Sequence, residues 1–446
     1  MNDLKRSGIN KIYIISLFLP VILLFSACAS IGSFSAIENE LEYNRYAESI
    51  VQLENNKNLL YTGRDTVLYN LDRGMLSHYA KFYTDSSILL GEAERAIEEA
   101  FTKSISQEIS TFLTNDNARD YGGEDYEDIY INAFNALNYY HRGLSESTLV
   151  EVRRMNNKLR YLNNKYDVSL SNLQKKAIEE NQKNIPPNPN APSKFSDSAL
   201  ARYLGMLFYR GAGMEDDVRI DRDHLLAAFA NAPEVYKHQV PKSLSGEMYI
   251  PRGMARLNVI AFGGLSPIKI ETVIRIPLPE GRWIKIALPE MQSRQSAVNR
   301  VELVIDGGGS YEFELLEDID AVAQETFKLR AEVIYLKTVI RATIKSVSSS
   351  ALSAAARETS GNESLVLGLF SLFAQVIAEV SESADIRIAR FFPARAYIAG
   401  INLPPGNYSF SVKYYNRQGR EIAVTRHENM AVRENVLNLA EAVCLR

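Results

Sequence analysis

Two cysteines in 446 residues, Cys28 and Cys444, leave no material for a disulfide framework, so the fold must rest on packing. A single tryptophan, Trp283, supplies few of the aromatic platforms that a glycan cleft favours. The five histidines, His78, His141, His224, His238 and His427, show no metal-ligand spacing and no neighbouring cysteine cluster, so no metal is expected. There is no GxSxG elbow, no Walker loop and no GxGxxG between strand and helix, and 307–309, a run of glycines, sits in a turn. The expectation is therefore a chain with no cofactor and no catalytic residues. Nor is there a basic surplus: net charge is −4, and removal of a leader carrying Lys5, Arg6, Lys11 and Asp3 takes it to −6, which argues against nucleic acid as a partner.

What is present is the balance of a globular protein, 46% hydrophobic and 23% charged, at a length that suggests more than one packed unit. The N-terminus reads as an export signal, with Lys5, Arg6 and Lys11 before an apolar run over 12–25 and then Ser26 and Ala27. Phe25-Ser26-Ala27-Cys28 resembles a lipobox with Phe where Leu is usual. That resemblance implies cleavage after 1–27, lipid on Cys28, and a protein held in the bacterial envelope, facing the periplasm from the outer membrane. The run is short for a spanning helix, which needs about 20 residues. Cys444, left without a partner, is expected to lie half-buried at the end of the last element.

Helical periodicity dominates the first half. Leu68, Leu71, Met75 and Tyr79 share a face, as do Ile97, Phe101, Ile105 and Ile109. Tyr130, Ala133, Phe134 and Leu137 begin a second hairpin that breaks at Gly143 and returns over 149–159. A third begins with Leu200, Tyr203, Leu204, Leu207 and Phe208. The spacing approaches that of tetratricopeptide repeats, in which about 34 residues form two helices. A proline-rich spacer, 181–197, separates hairpins two and three, and 29–40 reads as a linker to the anchor. From about 250 the period changes to two, in Leu257, Val259 and Ala261, in Ile268 and Ile270, and in Tyr408, Phe410, Val412 and Tyr414. Helices over 319–356 and 365–379 are expected to cover one face of this sheet. The expected fold is α+β: helical repeats over 28–245, then an antiparallel β domain with covering helices over 246–446. The apolar run 365–378 is too short to span a bilayer, since about 14 helical residues rise roughly 21 Å.

A further group of residues carries a resemblance. Asn115-Asp116, Tyr121, Gly123, Tyr126 and Glu127, then Asn138-Tyr139, Gly143, Val150-Glu151 and Arg153-Arg154, followed by Gly264, Pro267, Lys269, Ala384-Asp385-Ile386-Arg387, Pro393-Ala394 and Leu403-Pro404-Pro405-Gly406, resemble an uncharacterised group of bacterial envelope lipoproteins. The likeness covers nearly the whole mature chain and implies tetratricopeptide-like N-terminal repeats and no established activity. Ile386 and Ala389 depart from it, standing where the group has a hydroxyl residue and an aromatic.

Read from the residues, Tyr121, Glu127, Asn138, Tyr139, Glu151 and Arg154 are polar or aromatic and fall on adjoining helices. Two readings stand: a groove in which Asn138 and Tyr139 bond an extended backbone while Arg154 takes a carboxylate, or a structural network in which Glu151 and Arg154 pair. The acidic run Glu124, Asp125, Glu127 and Asp128 suits the first turn of a helix, or the paired carboxylates of a glycosidase. The expected function is a membrane-anchored scaffold for envelope proteins; the alternative is a peptidoglycan-binding or glycan-cleaving lipoprotein.

Overall fold

The computed structural model describes residues 29–107, 116–162, 164–179, 192–277, 283–358 and 383–446. Cys28 and the apolar run 365–378 lie outside them, as does most of the proline-rich spacer. Among the described residues no helix is long and apolar enough to cross a membrane.

The first half folds as consecutive helical hairpins: α1 (Ala29–Glu42) with α2 (Tyr46–Leu60), α3 (Thr66–Tyr79) with α4 (Tyr83–Gln107), α5 (Asp125–His141) with α6 (Ser145–Leu162), then α7 (Asp167–Glu179), and α8 (Ala199–Gly211) with α9 (Glu215–Asn231). Positive-φ glycines Gly143 and Gly213 turn two of these hairpins, a conformation that costs glycine nothing. Where a linker was expected over 29–40, the chain is helical. Ile37 and Leu41 are buried, and Glu38 lies 3.2 Å from Arg294 and 3.3 Å from Arg390, so side-chain docking overrides the weak helix propensity of Ser30, Gly32 and Ser35.

The first helices α3, α5 and α8 are buried along nearly their whole length, whereas their partners keep an exposed side. The reason lies in the second half. A four-stranded sheet in the order β10 (Asn438–Cys444), β1 (Ala255–Leu265), β7 (Pro393–Leu403), β6 (Glu314–Asp318) lies against them. Its other face packs on a second sheet ordered β5 (Ser310–Glu312), β4 (Arg300–Ile305), β8 (Gly406–Tyr415), β9 (Glu421–Val432). Along β1, Ile260 and Phe262 enter the core shared with the helices, and Leu257, Val259 and Ala261 enter the core between the sheets. A strand buried on both faces results, in a three-layer α/β/β molecule.

The α+β class is thus found, with two differences of detail. The pairing of β1 with β10 is parallel, because the chain reaches β10 only after crossing to the second sheet and back. The helix over the central sheet is not mainly α10 (Ile319–Glu358): its first turns join the main core through Ile319, Val322 and Ala323, after which Val333 and Ile340 meet Leu173 of α7 in a separate small cluster. It also runs beside the ribbon of β2 (Ile268–Pro277) and β3 (Trp283–Gln292). Cys444 ends β10 fully buried between the sheets rather than half-buried.

Candidate functional site

Each buried first helix bonds, through polar side chains, to the central sheet or to the residues just before its strands. From α3, Tyr79 Oη donates to Phe391 O at 2.8 Å; from α5, Tyr140 Oη donates to Leu437 O at 3.0 Å; Tyr203 Oη of α8 accepts from Asn258 Nδ2 at 3.1 Å. Tyr130 of α5 bonds the Glu317 carboxylate, which Ser198, Tyr236 and the Leu200 amide also serve. His78 and His141, 63 positions apart in sequence, converge on Glu441 of β10. Burial opposes its charge, yet the two imidazoles hold the Glu441 carboxyl far below the usual range. Among the described residues no group of three His, Cys, Asp or Glu is placed to hold a metal ion.

The inner face also binds a stretch of the same chain. Residues 383–392 run without helix or ladder between α3, α5 and the β2–β3 ribbon, held through their backbone by side chains. Ala384 N donates to Glu271 Oε2 at 2.7 Å, Ala389 N to Glu127 Oε1 at 2.7 Å and Arg390 N to Asp72 Oδ1 at 2.6 Å, while Lys269 Nζ donates to Arg387 O at 3.0 Å. Burial raises the Asp72 carboxyl to about 6 and, with the neighbouring Glu124 charge, the Glu127 carboxyl to about 7. The motif Ala384-Asp385-Ile386-Arg387 is therefore an internal ligand: Arg387 ties to Asp385 at 2.8 Å and to Asp65 at 3.1 Å.

Of the two readings left by the sequence, an open groove and a structural network, these residues' burial and bonding match the network. Tyr121, Glu127, Asn138 and Glu151 are buried, and Tyr139 is half-buried. Tyr121 Oη donates to Glu127 Oε2 at 2.8 Å, and Glu127 Oε2 accepts from the Glu124 amide at 2.7 Å, closing a capping box at the start of α5. Asn138 Oδ1 meets His78 Nδ1 at 2.8 Å and its Nδ2 donates to Ser86 Oγ at 2.9 Å. The central sheet and the 383–392 stretch occupy the space that an extended peptide would need. Arg154 alone of the six is well exposed, at 54% of its side chain; it pairs with Glu151 at 3.6 Å, as the structural reading holds, and more closely with Glu94 at 2.9 Å. The acidic run is likewise engaged. Asp128 meets Lys158 at 2.6 Å, Asp125 meets Lys165 at 2.6 Å, and Glu124 bonds Lys269 and Arg330.

An open groove exists elsewhere, on the outer side of α4, α5 and α6. One cavity of about 390 Å³ lies between the α4–α5 corner, β3, α10 and 383–385, and a second of about 600 Å³ lies between α4, α5 and α6. They share Ile97, Phe101, Asp125 and Lys165 and so adjoin. The first is lined by six cations, Lys103, Arg119, Lys165, Lys269, Arg330 and Lys337, against four acids. The second carries four of each sign, and its wall is a ladder in which Lys158 joins Glu94 at 2.7 Å to Asp128. Burial alone would push the Glu94 carboxyl up, but Lys158, Asn132 and Arg154 hold it below its ordinary value. Sequence reasoning named Arg154 as a groove candidate and Lys269 only within the family-like motif, and it missed Arg330 and Glu94, whose partners Glu124 and Lys158 lie on other elements at separations that no spacing encodes. Compared with family models, curated proteins and solved structures, the chain matches none.

Proposed function

We propose that this chain is a bacterial envelope lipoprotein, anchored through Cys28, that works by docking a segment of a partner protein in the outer groove. The single observation that carries the docking reading is the pair of adjoining cavities sharing Ile97, Phe101, Asp125 and Lys165, with apolar floor and walls of both charge signs. Such a surface suits an extended polypeptide, whose apolar side chains take the floor and whose polar groups meet the walls. The ion-pair ladder holds those walls in place, so little ordering cost remains at binding. The anchor reading rests on the export signal and lipobox-like Phe25-Ser26-Ala27-Cys28. Confinement near the membrane raises effective concentration, so a modest groove affinity suffices. The carboxylates of 124–128 each hold a cation or a backbone amide, which gives glycan cleavage no support.

A photo-crosslinking residue placed in cells at Tyr161 or Lys103, both exposed at the groove, should yield protein adducts, whereas one at Val424 on β9 should not. Equal yields from all three would remove the groove reading. Radioactive palmitate should label the chain and not its Cys28→Ala variant; unchanged labelling would remove the anchor.

A further inference from the structure

We propose that His78, His141 and Glu441 form a pH-sensitive clasp, which fastens the edge strand β10 to helices α3 and α5 while the imidazoles carry protons and slackens as they lose them. The first observation is where the clasp sits. β10 pairs with β1 alone, so its other side has no strand. Side chains hold that side instead: Tyr46 Oη donates to Val443 O and Tyr140 Oη to Leu437 O, both at 3.0 Å, and Leu439 N donates to Tyr140 Oη at 3.0 Å. To these the clasp adds two imidazoles on the Glu441 carboxylate, groups that change charge near neutral pH.

The geometry of His78 requires a protonated ring. Its Nδ1 lies 2.8 Å from Asn138 Oδ1 and its Nε2 lies 3.1 Å from Glu441 Oε2. Asn138 is turned this way because its Nδ2 donates to Ser86 Oγ at 2.9 Å and to Asn135 Oδ1 at 3.4 Å. Two acceptors take two ring protons, so loss of one gives up a bond together with the charge. His141 meets Glu441 Oε1 through Nε2, with its ring stacked on that of Tyr83 at 4.6 Å between centroids. Both histidines stand in the last turn of a helix, where free carbonyls favour a cation.

Among the described residues no lysine or arginine pairs with Glu441. The other titratable groups facing it are Tyr79 of α3, Tyr83 of α4, Tyr140 of α5 and His427 of β9. Burial pushes all three phenols up, so they stay neutral. His427 donates to Glu441 O at 3.1 Å; burial, and then the charge of Lys81 in the α3–α4 turn, holds its imidazole below the ordinary value, which makes it a poor source of countercharge. Burial opposes the Glu441 charge and His78 and His141 restore it, and the coupling is mutual, so the carboxylate favours both imidazolium forms in turn. Because the folded Glu441 value lies below the ordinary one, its stability is present above the ordinary carboxylate range and is lost as pH falls toward the folded value. The imidazoles set the upper limit: once they are neutral, the carboxylate stays buried without countercharge.

Cys444, fully buried at the end of β10, reports the opening of the strand. The test follows its alkylation by a neutral maleimide in the full chain, read by mass spectrometry on the C-terminal peptide. Each rate is divided by that of the urea-unfolded chain at the same pH, which removes the thiol's own pH dependence. Protection should fall about tenfold or more between about pH 5.5 and about pH 8.5. Glu441→Gln should be less protected than the parent at the lower pH and nearly level across the range. Asp72→Asn, which removes another buried carboxyl that titrates there, should keep the parent's fall. His141→Gln, with 18% of the His141 side chain open, keeps a donor without the charge and should flatten the profile in part, and it decides the matter if Glu441→Gln does not fold. Level protection in the parent, or an undiminished fall in Glu441→Gln or His141→Gln, overturns the clasp. A fall abolished by Asp72→Asn assigns the pH dependence to Asp72 and overturns it too.

Discussion

Buried carboxylates that accept backbone amides set the character of the molecule at the residue scale, and Asp72 shows how they act. Its Oδ1 takes the Arg390 amide and its Oδ2 takes Tyr61 Oη at 2.8 Å, in a site with no exposure. The folded-state value near 6 lies above the ordinary 3.8, so the folded chain binds more protons than the unfolded one between those values. Stability from this group is therefore fully present below the ordinary value and is lost as pH rises through about 6. Asp72→Asn keeps both bonds if Tyr61 Oη turns to accept, and it removes the charge. It should be more stable relative to the parent at pH 8 than at pH 4, by up to about 3 kcal/mol in urea melts. A constant difference across that range would refute the buried-charge account. Asn138 behaves differently. Asn138→Ala strands His78 Nδ1 and Ser86 Oγ and should cost about 1–3 kcal/mol, whereas Arg154→Ala, at an exposed site, should shift stability by less than about 0.5 kcal/mol. Thermal melts of the two single variants decide it, and equal effects would return Asn138 to the surface. The sequence marked both residues as polar on helices; it held no sign of which faced inward, since that depends on a sheet more than a hundred positions away.

Elements were legible where one face differs from the other. The hairpins α3–α4, α5–α6 and α8–α9 show in their apolar stripes, whereas α7 was not read, and β8 shows in Tyr408, Phe410, Val412 and Tyr414, whose buried positions alternate with half-exposed ones. The strands β7 and β10 escaped notice because β7 is buried on both faces and carries no alternation, and β10 is short. Helix α1 escaped because its small and hydroxyl residues look like a tether until the docking of Ile37 and Leu41 is known. Close approach of elements also hides in single residues. Gly205 of α8 faces the Asp221 carboxylate of α9 so tightly that an added Cβ would overlap Oδ2, while Asp221 is itself bonded to Arg202 at 2.8 Å. Gly205→Ala gains helix propensity of about 1 kcal/mol but must push α9 away, so a net loss of about 1–3 kcal/mol is expected by chemical denaturation. A stabilised variant would mean that the two helices are not so closely packed.

The whole molecule follows from one fact of assembly: the helical stack does not keep its inner face for a partner but closes it with its own central sheet and with 383–392. One hydrophobic core runs from Ile37 to Leu445, joining the chain's two halves across the boundary near 245 where the sequence changes period. The α+β class and that change of period were readable; the closure was not, because it depends on which faces meet rather than on what each face is made of. For that reason the proposed docking site is the outer groove. Hydrogen exchange on the full mature chain tests this closure most directly, because amides of α5 and of β1 should share the largest protection in the molecule and be released together by one global opening as denaturant rises. Release of the α5 amides at a much lower free energy, with β1 still protected, would mean that the inner face opens to solvent on its own and would contradict the account.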